Sequence, residues 1–355
     1  MSKPARISLP LEAREREPLA DAHLTGARLT LTLASLAAVT IVVCLAGVSL
    51  GSVHISLARA LLQANSPDRA ILAGVRLPRV LMGAIVGAIL AVVGAALQAL
   101  VRNPLAEGGI LGISGGGAFG AIIALVLFSH MAAADAIVPL CAFAAALIST
   151  IAVYRLALVG GRLEPLTLLL VGVIFNAFWG AAIMLVNSVV NFYFTHSIIF
   201  WLMGSFEAPT YHEVILVAIL GAGGFTMLAA RARDMNLLSL GDDAAAELGV
   251  EVNGLRRVIF LATSIMIGAA VSVSGIIAFV GLIVPHVIRL ALGADHRLLL
   301  PASVLGGAAF MVAADLLART VIAPAELPVG AITAICGGPF FVYVLRRGGD
   351  AGLGL

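Results

Sequence analysis

A single lysine, Lys3, in 355 residues is the absence that constrains this chain first. A P-loop needs a lysine directly after its glycines, so the chain cannot hydrolyse a nucleoside triphosphate by that chemistry. Cysteine is nearly as sparse. Cys44, Cys141 and Cys336 each fall inside an apolar run, which argues against a disulfide framework or a cysteine metal cluster. Charged residues make up only 11% of the chain, and no succession of Asp or Glu runs through the apolar stretches. That excludes the acid relay on which a proton-coupled carrier depends. No cleavable leader is expected, because the apolar run starting near Leu29 is too long for a signal's hydrophobic region and lacks a cleavage site.

What remains is 61% hydrophobic with a mean hydropathy of +1.11, insoluble as a globular domain but ordinary for a bundle of transmembrane helices. Runs long enough to cross a bilayer read as 27–50, 77–101, 109–128, 136–158, 166–190, 213–230, 254–274, 301–322 and 328–345, with a shorter tenth at 276–290 that carries Pro285. The expected fold is therefore all-α and polytopic, with about ten transmembrane helices. Residues 1–26 read as a disordered cytoplasmic tail, 27–347 as the membrane domain and 348–355 as a C-terminal tail. With the N-terminus inside, all but five of the twenty-one basic residues fall on the cytoplasmic side, as does the C-terminus. The five exceptions are Arg59, Arg69, Arg76, Arg79 and Arg319. The last three sit at helix ends, which marks them either as a functional surface or as interfacial snorkelling.

One long polar stretch, 231–257, interrupts the apolar chain. Within it, Ser239 and Asp242 have the spacing of a helix N-terminus, and Gly249 can supply a left-handed end, which predicts a helix of about nine residues. So short a helix is marginal in water. Its Leu240, Ala244 and Leu248 face must pack either on its own membrane domain or on a second protein, while Asp242, Asp243, Glu247 and Glu251 stay in water. Elsewhere, the stretch from Leu77 resembles the stretch from Leu255 in the opposite direction, the mark of an inverted-topology repeat. Gly83-x-x-x-Gly87 and Gly116-x-x-x-Gly120 suit close helix contacts.

Gly112-Ile113-Ser114-Gly115 matches the G-x-S-G pattern of intramembrane serine proteases, but no second motif locates a base. Asp315 and Arg319, four apart on one helix, lower each other's cost in the membrane. With no nucleotide site and no relay of its own, the chain needs an external energy source, and the polar stretch at 235–251 is where an ATPase would bind.

Several ordered motifs carry a resemblance over nearly everything after residue 30. They are Arg76-Leu77-Pro78-Arg79, Gln98 through Ala106 (QALVRNPLA), Gly112-Ile113-Ser114, Met235 through Gly241 (MNLLSLG), Phe279 through His286 (FVGLIVPH), Asp295-His296-Arg297, and Glu326 through Gly330 (ELPVG). The chain resembles the permease subunits of importers for ferric siderophores, haem and cobalamin. The resemblance implies a ten-helix permease that works as a homodimer in the bacterial inner membrane, with two ATP-binding subunits inside and a periplasmic binding protein outside. It implies no catalytic residue, no metal site, no cofactor on this chain and no nucleic-acid partner, since ATP and Mg2+ belong to the partner subunit. The family's outer arginines that meet acidic residues of the binding protein fall on Arg76, Arg79 and Arg319. Its ATPase-coupling segment falls on Asn236, Leu237, Leu238, Ser239, Leu240 and Gly241 and runs on to Leu248 and Gly249.

One departure bears on the substrate. Where the cobalamin permease carries a Ser/Thr gate, this chain has Glu164-Pro165-Leu166, so that gate does not carry over. The expected cargo is haem or a ferric siderophore, with haem favoured by the aromatic cluster of Phe192, Tyr193, Phe194, His196 and Trp201. Tyr193, His196 and Trp201 are the candidate path residues, against the alternative of an aromatic belt at the membrane interface. A cobalamin permease and an autonomous carrier are the competing readings.

Overall fold

The computed structural model describes residues 26–131, 133–207 and 209–350. Apart from Gly26, the expected N-terminal tail lies outside the described residues, as do the last five residues of the expected C-terminal tail. The chain opens with α1 (Gly26–Ser49), followed by the short α2 (Leu57–Leu62) and α3 (Pro67–Ile71). Helix α3 continues through a π-helical turn, Leu72–Arg76, into α4 (Leu77–Val101). Then come α5 (Ile113–Phe128) and α6 (Ala134–Leu156), a two-stranded hairpin of β1 (Leu158–Val159) and β2 (Arg162–Leu163), α7 (Pro165–Val189), α8 (Phe192–Leu202) and α9 (Tyr211–Ala229). Helices α10 (Ala232–Leu238) and α11 (Asp242–Glu247) form the polar insert. Helices α12 (Val252–Ser274), α13 (Val280–Leu292), α14 (His296–Thr320) and α15 (Val329–Asp350) complete the chain.

The protein is an all-α membrane bundle. Among the described residues, seven helices are long and apolar enough to cross a membrane, and the shorter apolar α5, α13 and α15 occupy the other expected runs. Polar caps set where several of them start. Thr210 and Glu213 form a reciprocal capping box at α9, and Asn191 and Asp295 each accept a backbone N–H at the first turns of α8 and α14. The cap at Asp295 explains why α14 starts at His296 and not at Pro301 as expected. Helix α15 runs through Asp350, past the expected boundary at 347.

Helix α4 is the axis. It is apolar all round, 18 of its 25 residues are buried, and it packs against α14, α13, α12 and α9. Small residues permit this. A Cβ on Gly87 would lie 2.2 Å from the Gly307 carbonyl oxygen, and a Cβ on Gly94 would lie 1.8 Å from that of Gly281, so α4 meets α14 and α13 backbone to backbone. Gly116 and Gly120 make the expected close approach, to α6, whereas a Cβ at Gly83 would make only ordinary contacts, with the Phe206 ring at 3.7 Å and Val312 at 3.9 Å. By contrast, α7 buries four of its 25 residues, and among the described residues of α1 Gly47 alone is buried. Both present long apolar flanks outward.

These contacts make a sharp prediction. Gly94→Leu has to move backbone rather than a side chain, so it costs more than the ~1–3 kcal/mol usual for overpacking. The variant is expected to lose its monodisperse peak in detergent and its thermal transition. Gly223→Leu on α9, with nothing within 4 Å of the added Cβ, keeps both.

Candidate functional site

The polar side chains gather at the two ends of α4, about 37 Å apart for a 25-residue helix. At its N-terminal end Arg76, Arg79 and Arg319 are buried, with 4%, 8% and 3% exposure. Arg76 donates through Nη1 to the carbonyls of Val48 (3.1 Å) and Ser49 (2.6 Å), and through Nη2 to that of Val53. Arg319 donates to the carbonyls of Leu50 (3.2 Å) and Gly47 (3.1 Å). These are the carbonyls at and just past the end of α1, left without partners by helix geometry and carrying its negative dipole end. Two guanidinium groups therefore cap α1.

Asp315 bridges two of the three arginines. Its Oδ1 accepts from Arg79 Nε at 3.0 Å and lies 2.9 Å from Arg79 Nη2, while its Oδ2 lies 2.9 Å from Arg319 Nε. The sequence pattern paired Asp315 with Arg319 and missed Arg79, which sits on a different helix. Arg79 Nη1 reaches Glu326 Oε2 at 2.7 Å, and Ser52 donates to the other oxygen of Glu326. The three arginines expected to meet a partner are thus turned inward, each engaged within the chain. The exposed guanidinium groups at this end are those of Arg59, paired with Asp68 at 2.9 Å, and Arg69.

At the other end lies the insert. It is two short helices with an elbow at Gly241 (φ 120°) and a left-handed close at Gly249 (φ 88°), in place of the single nine-residue helix expected. Ser239 does not cap α11. Its hydroxyl donates back to the Met235 carbonyl at 3.0 Å, and Gly241 takes the cap position. Met235, Leu238 and Ala245 are buried and Leu237 is half-buried, whereas Leu240 and Leu248 are 67% and 60% exposed. The apolar pair expected to pack therefore does not pack on its own domain. Asp242, expected in water, accepts from Arg256 at 2.7 and 2.9 Å and lies 3.6 Å from Arg102.

Asn236 fastens the insert to α14. Its Nδ2 donates to Asp295 at 2.8 Å, while its Oδ1 accepts the His296 backbone N–H at 2.8 Å and lies 2.7 Å from His296 Nδ1. Hydrogen bonds from the Arg297 guanidinium, with Asn236 adding another, lower the Asp295 carboxyl from 3.8 to about 2. Its contribution to stability is thus complete above the usual carboxylate range and is lost only as pH falls towards 2. Nearby, Gln98 donates to the Gly281 carbonyl at 3.2 Å and accepts from Arg289 at 2.9 Å. Glu107, in the loop after α4, accepts the Phe279 N–H at 2.9 Å, holding a bulky residue at a left-handed φ of 69° where α13 begins. Burial raises the Glu107 carboxyl against the lowering effect of that hydrogen bond.

The aromatic candidates separate. Phe192, His196 and Phe200, spaced four apart, line one exposed face of α8, and the His196 and Phe200 rings stack with centroids 4.5 Å apart. Trp201, expected on the path with them, instead packs half-buried against the hydrophobic core. The Tyr193 side chain lies outside the described residues.

The profile of the FecCD transport family matches residues 39–347. The chain is 44% identical over 289 residues to the cobalamin import system permease protein of Halobacterium salinarum, covering 80% of this chain and 76% of the relative. It is 42% identical over 284 residues to the hemin transport system permease protein of Yersinia pestis (77% and 82% covered). It is 39% identical over 286 residues to the iron(3+)-hydroxamate import system permease protein of Bacillus subtilis (80% and 73%). A solved chain assigned to a metal-chelate type ABC transporter in an inward-facing conformation superposes with a TM-score of 0.78 at 30% identity, covering 90% of this chain and 99% of that one.

The arginine end yields the next prediction. Asp315→Asn leaves Arg79 and Arg319 buried without their shared charge, a loss on the order of 3–5 kcal/mol. A fall of several degrees in the unfolding temperature in detergent is expected. Asp68→Asn, which loses the charge beside the exposed Arg59 but keeps an oxygen to accept the Ser56 N–H, shifts it by a degree at most.

Proposed function

We propose, from the premise that this chain belongs to the FecCD transport family, that it is the membrane permease of an ATP-driven importer for a chelated metal. Relatives named for cobalamin, haemin and iron(3+)-hydroxamate share one cargo chemistry, a metal held in an organic chelator. The family implies an ATP-binding subunit and a substrate-binding protein as partners, and nucleotide chemistry is left to the former. The observation that carries the reading is the exposure of Leu240 and Leu248 on the insert. Two large apolar side chains held out on a polar segment suit a protein contact, and we assign that contact to the ATP-binding subunit. The arginine distribution favours placing the insert end and both termini in the cytoplasm and the arginine end outside. The bare apolar flank of α7 is available for a second copy of the chain, consistent with a homodimer.

Within chelated metals, the stripe of Phe192, His196 and Phe200 favours a flat macrocycle that stacks on aromatic rings, with the imidazole within reach of its metal. Haem fits better than cobalamin because Glu164 and Pro165 stand where the cobalamin permease offers hydroxyls. For the binding protein, Arg76, Arg79 and Arg319 form the cationic base of the outer face and the exposed Arg59 and Arg69 its rim.

Two outcomes test the reading. Leu240→Asp with Leu248→Asp leaves the bundle folded and lowers retention of the ATP-binding subunit at least tenfold, because a carboxylate buried without a partner is costly. Full retention on co-purification defeats the assignment. In liposomes holding the permease, its ATP-binding subunit and the binding protein, cargo accumulates with ATP and not with a pH gradient alone. Gradient-driven accumulation by the permease by itself restores the autonomous carrier.

A further inference from the structure

Beside the insert, a polar cavity of about 520 Å3 opens between the end of α4, the elbow of α10 and α11, and the start of α14. Gln98, Arg102, Asn236, Leu240, Arg289 and Asp295 are in its wall. The charges there are unevenly engaged. Asp295 is saturated, with Asn236 and the backbone and guanidinium of Arg297 all donating to it. The two cations are not. Arg289 makes one side-chain hydrogen bond, to Gln98. Arg102 has one carboxylate neighbour, Asp242, at 3.6 Å, and that carboxylate already binds Arg256 at 2.7 Å. A guanidinium carries five N–H donors, so most of the donor capacity at this cavity is unmet.

We infer that this cavity receives an acidic side chain, Asp or Glu, of the ATP-binding subunit, seated between Arg102 and Arg289. The inference rests on the docking reading above and adds to it a specific ionic anchor. A carboxylate answers the unmet donors of both guanidinium groups, in the bidentate geometry that arginine favours. The lip of the cavity favours a protein over a phospholipid headgroup. Leu240 forms it, 67% exposed, and Leu248 is 60% exposed beyond α11, so the visitor has to present apolar surface beside its charge. The anchor complements the apolar contact. The leucines supply buried area, while the arginines set register and steer the approach.

The scarcity of lysine makes the test clean. With Lys3 as the chain's sole lysine, Arg102→Lys or Arg289→Lys introduces an amine at a known place. The permease with its ATP-binding subunit, reconstituted together, is treated with a zero-length carbodiimide and the joined peptides are mapped by mass spectrometry. An isopeptide bond from position 102 or 289 to an acidic residue of the ATP-binding subunit is expected. In parallel, Arg102→Glu weakens binding of that subunit at least tenfold at low salt, and the deficit shrinks as salt rises. Arg102 is half exposed, so its reversal spares the fold. Leu240→Cys, joined by a short bismaleimide to the same subunit, reports docking independently. Cross-linking at position 240 without any at 102 or 289, and with the Arg102→Glu affinity within twofold of wild type, overturns the anchor and keeps the docking reading. Loss of retained anionic phospholipid in Arg102→Glu with the affinity unchanged overturns it in favour of a lipid headgroup. Failure at position 240 as well removes the docking reading and the anchor with it.

Discussion

In a bilayer a charge or an orphan carbonyl has no water to turn to, and the arginine end of this bundle is organised by that constraint. Asp315, shared between Arg79 and Arg319, and Glu326, paired with Arg79, together balance the charge of two buried guanidinium groups. Arg319 spends its remaining donors on the frayed end of α1, beside Arg76, and Arg79 reaches on to Glu326 just ahead of α15. Four helices thus end in register at one ion network. The backbone contacts at Gly87 and Gly94 set how α14 and α13 cross α4. The first feature fixes heights along the membrane normal and the second fixes the crossings, which together make α4 a stiff axis.

The opposite end is built differently. There the polar groups join loops to helix starts, with Asn236 fastening the insert to α14 and Glu107 fastening the loop after α4 to the strained start of α13. A push on the insert is conveyed through Asn236 to α14, which is in direct backbone contact with α4. Under the proposed docking, this gives the ATP-binding subunit a rigid handle on the bundle.

The spans were legible because a run of some twenty apolar residues has few alternatives to crossing a membrane, and the helices fall within a few residues of the runs. The insert's internal structure was not. Ser239 and Asp242 have the spacing of a cap, but a serine hydroxyl can equally bond back one turn, and Gly241 then carries the break. The three arginines at helix ends were conspicuous in the sequence, whereas most of their partners were not, because a backbone carbonyl has no sequence signature. The isolated Gln98, inside an otherwise apolar helix, was a signal of the other end that the pattern reading passed over. The stripe on α8 was hidden because aromatic residues spaced four apart and an interfacial belt share one composition.

The partners of Arg79 carry a consequence for how the protein is made. Asp315 and Glu326 follow it by 236 and 247 residues. At ribosomal rates of about 5–20 residues per second, roughly 10 to 50 s pass between the emergence of that arginine and of its counter-charges. For that interval α4 is a nascent helix with an unanswered cation, and the end of α1 lacks half of its cap. Insertion of the early helices is therefore provisional, and their final seating awaits the synthesis of α14. A chain truncated before that helix is left with charged ends and is a natural target for membrane quality control.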